Sequence, residues 1–145
     1  MGYDAFAVDD FFELLDEQIS NIIQTPTVEK LSSCFSDDSV DGYLMTCMRC
    51  ICGAYVKKYS EEFQFFLPEK YASIETFVRN EVDPMYRDCD QIQIVALTRA
   101  LAVPLRIVYL DQSEGDSPTI HTFEDAEGKE AVVLLYKPGH YDLIY

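Results

Sequence analysis

Basic side chains are scarce in this sequence. Eleven lysines and arginines stand against twenty-six aspartates and glutamates, a formal charge of −15 over 145 residues. A surface of that sign repels phosphate backbones and anionic lipid head groups, so neither nucleic acid nor a membrane is an expected partner. The acidity fits plain solubility, and equally a partner presenting a basic face. Glycine and proline are few as well, six of each, while 48% of residues are apolar and 13% aromatic, which excludes the disordered and low-complexity classes. No apolar run is long enough to span a bilayer, and no cationic N-terminus precedes an apolar stretch as in a secretory leader. The five cysteines, Cys34, Cys47, Cys50, Cys52 and Cys89, are an odd number, and four lie in apolar-periodic stretches. They read as reduced, mostly buried thiols, and the expected location is the cytoplasm, extending to the nucleus.

What is present is enough apolar material for one ordinary domain, expected to span residues 1–145 without linker or repeat. From Asp9 to Gln24, Phe11, Phe12, Leu15, Ile19, Ile22 and Ile23 fall on one helical face, with Asp10 and Glu13 spaced as a capping box. Thr25 and Pro26 end that helix, and Thr27 is placed to cap a second one through Phe35. A long core-facing helix follows between Asp38 and Tyr59, on a stripe that includes Leu44, Cys47, Met48, Ile51 and Tyr55. Ser60 is placed to cap a short aromatic turn from Phe63 to Leu67, and Ser73 to Arg79 reads as another short helix. Glu81 to Pro84 reads as an extended connector, because the residue before proline avoids helical dihedrals.

Asp90 can cap a helix through Leu101 that is apolar nearly all round and therefore buried on most sides. The period then changes. Leu105 to Leu110, Ile120 to Phe123, Ala131 to Tyr136 and His140 to Tyr145 read as strands, with an acidic turn-rich loop from Asp111 to Pro118 and a break at Lys137-Pro138-Gly139. The expected class is α+β, helices packed on a small, mostly antiparallel sheet.

Chemistry concentrates in Pro138-Gly139-His140-Tyr141-Asp142. On an extended segment, side chains two apart point the same way with α-carbons roughly 6.5–7 Å apart, so a carboxylate at 142 can hydrogen-bond an imidazole at 140. Such a carboxylate fixes the tautomer and stabilises the imidazolium formed when the ring takes a proton from a nucleophile. By itself the pair also reads as an ordinary structural or surface contact. His121 has no cysteine, acid or second histidine at ligand spacing and reads as structural or exposed. The C-x-x-C-x-C run at Cys47, Cys50 and Cys52 lacks a second ligand pair and sits inside a helical stripe, which favours core packing over metal or redox chemistry. Cys89 lies between two acids, which raise a thiol pKa, and no cysteine has the surroundings of a nucleophile. No phosphate-cradling glycine loop occurs, so no nucleotide cofactor is expected, and no metal.

Four ordered stretches carry a family resemblance. They are Phe77-Val78-Arg79-Asn80-Glu81-Val82-Asp83-Pro84-Met85, Cys89-Asp90-Gln91-Ile92-Gln93-Ile94-Val95-Ala96-Leu97, Val108-Tyr109-Leu110-Asp111, and the final twelve residues from Leu134 to Tyr145. In order and spacing they resemble the otubains, deubiquitinating cysteine proteases of the OTU class, and the start at Gly2-Tyr3-Asp4-Ala5-Phe6 and the Ser39-Val40-Asp41-Gly42-Tyr43 entry extend the likeness over essentially the whole chain.

The resemblance implies a papain-like OTU fold and a thiol isopeptidase cutting the bond between ubiquitin's C-terminal glycine and a lysine amine, without metal or organic cofactor. His140 would be its general base and acid, and Asp142 the orienting carboxylate. The implied partners are ubiquitin or polyubiquitin, together with a ubiquitin-conjugating enzyme. In that family the nucleophile belongs to an upstream Asp-Gly-Asn-Cys-Phe motif at a helix N-terminus; no such motif occurs in these 145 residues. The expectation is therefore the C-terminal portion of an otubain with the N-terminal part of the fold missing, and with it either exposed apolar surface or a truncated gene model of a longer active enzyme. A non-catalytic module binding ubiquitin or a conjugating enzyme is the alternative. Otubains commonly show histidines where this chain has Gln91 and Gln93, a difference that bears on chain-type preference more than on base chemistry.

Overall fold

The computed structural model describes residues 5–36, 38–110, 117–123 and 129–144. The chain divides into two compact units, Met1–Cys89 and Asp90–Tyr145.

The first unit is helical. α1 (Ala5–Gln24) and α2 (Val28–Phe35) pack on α3 (Asp38–Lys58), with the Phe11 and Tyr43 rings 5.4 Å apart. α3 supplies the buried Leu44, Cys47, Cys52 and Val56, and Phe63, Ile74, Phe77, Val78 and Val82 are the other buried apolar side chains described in this unit. Thr27 caps α2 as its sequence position predicts, its Oγ1 accepting from the Lys30 amide at 3.1 Å. Asp10 and Glu13 do not cap α1, which starts four residues before Asp9; the alanines at 5 and 7 are strong helix formers and carry the helix back past the expected boundary. The expected apolar face of α1 also splits. Phe11, Leu15 and Ile22 are half-buried, whereas Phe12, Ile19 and Ile23 are exposed.

Two further expectations are corrected in this unit. Ser60 is the first residue of α4 (Ser60–Phe63) and no cap; Tyr59 holds the cap position without a side-chain hydrogen bond, and a 3-10 turn, Gln64–Phe66, follows. Glu81 to Pro84 is not an extended connector. α5 (Ile74–Phe77), capped by Ser73, runs on into a π-helical turn, Val78–Val82, and Asp83 keeps helical dihedrals (φ −66°, ψ −38°) despite preceding Pro84. The turn closes with the Asp83 amide donating to the Val78 carbonyl at 2.9 Å and fully buries Val78 and Val82. Burying two valines is worth about 3 kcal/mol or more, enough to outweigh a local steric preference. Arg49 clamps the segment, Nη1 donating to the Val82 carbonyl at 2.9 Å and Nη2 to the Arg87 carbonyl at 2.8 Å.

The second unit opens with α6 (Gln91–Leu101), whose Asp90 cap forms a full capping box with Gln93. The Asp90 amide donates to Gln93 Oε1 at 3.3 Å, which gives this buried side chain a partner. The sheet runs β2-β1-β3-β4, from β1 (Leu105–Tyr109), β2 (Thr119–Phe123), β3 (Val132–Lys137) and β4 (His140–Ile144). β1–β2 and β3–β4 are antiparallel, but β1 and β3 pair in parallel, so the sheet is mixed at its centre. The reason is topological: the chain reverses into β2 and reverses again into β3, and β3 takes the edge of β1 that β2 leaves open. Ile107 on β1 is fully buried.

Candidate active site

Lys137-Pro138-Gly139-His140 turns β3 into β4, with Lys137 and His140 as the paired residues at its ends. Gly139 has φ +82° and proline precedes it, the residue choice of a type II turn. The tight turn sets the register of β4, and the period of two along that strand puts His140 and Asp142 on one face with Tyr141 on the other. His140 Nε2 lies 3.2 Å from Asp142 Oδ1, the pair that sequence spacing predicts, with side chains 66% and 67% exposed. The contact engages Nε2 and leaves Nδ1 as the nitrogen able to exchange a proton with a thiol.

On the other face, aromatic rings meet across all four strands. Tyr141 lies 4.7 Å from Tyr136, Tyr136 4.9 Å from Tyr109, and Tyr109 4.7 Å from His121, between ring centroids. Burial, then the neighbouring Tyr136 and Asp90, raise the Tyr109 phenol above its ordinary pKa. The sequence pattern gave no sign of this row. Its members look unrelated until the register places Tyr136 opposite Tyr141 and beside Tyr109. His121, expected to be structural or exposed, is exposed and serves as the ring at the β2 end, on an edge strand. It also borders a shallow open cavity of about 280 Å³ lined by Gln91, Val95, Thr98 and Arg99 of α6 and by Thr122 and Phe123.

Of the cysteines whose side chains are described, Cys47, Cys50, Cys52 and Cys89, none is prepared as a nucleophile; the Cys34 side chain lies outside what is described. Cys47 and Cys52 are buried core residues, and burial pushes the Cys52 thiol up to about 12. Burial likewise raises Cys47 and Cys50, with further help from Cys50 and Asp83 respectively. For Cys89 loss of solvent is again the first cause of a raised pKa, with Asp88 adding to it and Arg49 opposing; the flanking acids that the sequence suggested are the lesser part. All these cysteines belong to the first unit, and residues 90–145 contain none. Among the described residues no group of three or more His, Cys, Asp or Glu side chains could hold a metal ion, and no helix is long and apolar enough to cross a membrane.

The sequence profile of the peptidase C65 otubain family matches residues 1–145. The chain belongs to the otubain family. It is 34% identical to human ubiquitin thioesterase OTUB1 over 145 residues, covering 99% of this chain and 52% of that protein. It is 32% identical to an ovarian tumor domain-containing deubiquitinating enzyme 1 of Arabidopsis thaliana, covering 53% of that protein. The chain thus spans about half the length of the curated relatives it matches. Among solved structures, it superposes on an OTUB1 complex with ubiquitin aldehyde and UBC13~Ub with a TM-score of 0.88 at 28% identity, covering 99% of this chain and 57% of that one. A viral OTU domain protease from Dera Ghazi Khan virus shares the fold alone, at TM-score 0.55 and 15% identity over 79% of this chain and 72% of that one. The otubain-family chain therefore has the OTU fold.

Proposed function

We propose that this chain carries the base and the orienting acid of a thiol-dependent ubiquitin isopeptidase. The observation that carries the proposal is the 3.2 Å contact between His140 Nε2 and Asp142 Oδ1 on one face of β4, in a chain of the otubain family. In this reading Asp142 holds the imidazole, Nδ1 takes the proton from an attacking thiol, and the same nitrogen returns it to the leaving lysine amine. The thiol is none of Cys47, Cys50, Cys52 and Cys89, each of which has its pKa raised rather than lowered. It comes from an otubain cysteine segment of the Asp-Gly-Asn-Cys kind, a motif these residues do not contain.

Ubiquitin or polyubiquitin is the substrate and a ubiquitin-conjugating enzyme a further partner, as supported by the related OTUB1 solved with ubiquitin aldehyde and UBC13~Ub. The reading includes a cytoplasmic or nuclear location, in keeping with Cys47, Cys50, Cys52 and Cys89, none of which is in a disulfide. Two measurements test it. Intact-mass spectrometry after incubation with a ubiquitin bearing a thiol-reactive C-terminal electrophile should show no adduct on this chain; an adduct lost in His140→Ala would mean that one of its own cysteines attacks. Joined to an otubain cysteine segment, the chain should cleave diubiquitin, and His140→Ala should lower kcat at least ~10³-fold. Ubiquitin binding without turnover would leave the binding-module reading in its place, and turnover that ignores His140 would overturn its role as base.

A further inference from the structure

The His140–Asp142 pair stands on the least supported strand of the sheet. Among the described residues β4 is an edge with β3 as its only hydrogen-bonded strand neighbour, and all five of its residues are exposed. Between the pair, and on the opposite face, is Tyr141. Its ring begins the row that runs through Tyr136 and Tyr109 to His121, one ring per strand, with centroid separations of 4.7, 4.9 and 4.7 Å. The register makes this row continuous: Tyr141 is directly opposite Tyr136, Tyr136 directly beside Tyr109, and His121 one step diagonal from Tyr109 across β1 and β2. The strand it leads back to, β1, is central and carries the fully buried Ile107.

We propose that this aromatic row positions the His140–Asp142 pair, with Tyr136 as the positioning residue that ties Tyr141, and through it β4, to the centre of the sheet. The inference rests on the reading of His140 as a general base, because only then does the facing of the pair matter to function. Its physical basis is the pleat. Neighbouring side chains on a strand point to opposite faces, so a ring held on one face at 141 holds 140 and 142 on the other. Tyr141 is itself 41% exposed, so its ring is held by contact with another ring more than by enclosure in a core. Because the row lies on the face opposite the pair, its effect on His140 and Asp142 passes through the backbone of β4.

NMR of this chain, in the absence of ubiquitin, tests the proposal. Tyr136→Val should speed hydrogen exchange of the β4 amides by roughly two- to tenfold. It should also shift the His140 χ1 couplings from a single rotamer to an averaged set, and Tyr136→Phe, which keeps the ring, should restore both. Ile107→Val trims the buried centre without removing a ring; it should lower the stability of the unit while leaving the His140 couplings unchanged. Should Tyr136→Val prevent folding, Tyr141→Leu on the exposed edge should give the same averaging. A single His140 rotamer in the ring-deleted variants, averaging already present in the unsubstituted chain, or equal averaging in Ile107→Val would each overturn the positioning role. None of these readings depends on turnover, so failure of the isopeptidase reading appears separately, in the His140→Ala assay.

Discussion

One substitution made at two glycines should have opposite signs, although neither site is crowded. A β-carbon added at Gly42 or at Gly139 would meet nothing within 4 Å, so packing cannot decide either outcome. Backbone conformation does. Gly42 lies inside α3, where alanine is the better helix former and costs less ordering entropy, a gain of about 1 kcal/mol. Gly139 has φ +82°, and an L-residue held in that region costs about 1–2 kcal/mol. Alanine also restricts the unfolded chain, returning about 0.4–1 kcal/mol, so the net loss at 139 is about 0.8 kcal/mol at the middle of the two ranges. Hydrogen exchange read segment by segment measures both. Gly42→Ala should slow exchange through α3 about fivefold, and Gly139→Ala should quicken it across β3 and β4 by roughly two- to tenfold. Changes of the same sign at the two sites would refute the argument, since they would mean that something other than φ sets the response.

Two other predictions concern the first unit. Arg49→Ala removes two charge-assisted hydrogen bonds to the Val82 and Arg87 carbonyls, worth about 1.5–3 kcal/mol each, but also removes an Nε that is buried without a partner, a relief of about 1–3 kcal/mol. Urea unfolding should show a net loss of about 2–3 kcal/mol, partly recovered in Arg49→Lys, and a change below about 0.5 kcal/mol would mean that the clamp does not hold the π-helical turn. Glu81 accepts hydrogen bonds from Tyr71 and Lys70, which hold its carboxyl below the ordinary 4.5. Its folded pKa is the depressed one, so its contribution is complete above about pH 4.5 and is lost as pH falls through the folded value. Thermal unfolding between pH 7 and pH 3 should therefore flatten in Glu81→Gln, and an equally steep acid loss in that variant would place the effect on other groups.

Helices and strands were legible wherever the signal was local. Thr27 and Asp90 cap where their spacing to the following apolar residues places them, and the change from a period near 3.6 to a period of 2 falls between α6 and β1. The capping residues expected for α1 and α4 were misplaced by local propensity and boundary, whereas two larger misses come from tertiary contact overriding a local rule. Proline at 84 argued for extended backbone, yet two buried valines and an arginine from a helix more than thirty residues earlier hold Asp83 helical. The six apolar residues of α1 looked like one face, but only Phe11, Leu15 and Ile22 are half-buried against the exposed Phe12, Ile19 and Ile23. Periodicity gives a direction on a helix and not the width of what covers it.

The site divides in the same way. The His140–Asp142 contact was legible because both partners lie on one strand, where the pleat alone fixes which side chains share a face. The tyrosine row was not, because its members become neighbours only through a parallel pairing of β1 with β3 that brings together residues 27 apart, Tyr109 and Tyr136. Nothing in the alternation of either strand distinguishes that register from one shifted by two residues, which would keep every side chain on its face and still break the row. What selects it must lie outside the strands. The turn at Pro138-Gly139 fixes β4 on β3, and the antiparallel pairing of β2 leaves one edge of β1 for β3. A substitution in either connection can therefore displace the rings behind His140 without touching a ring or the pair itself.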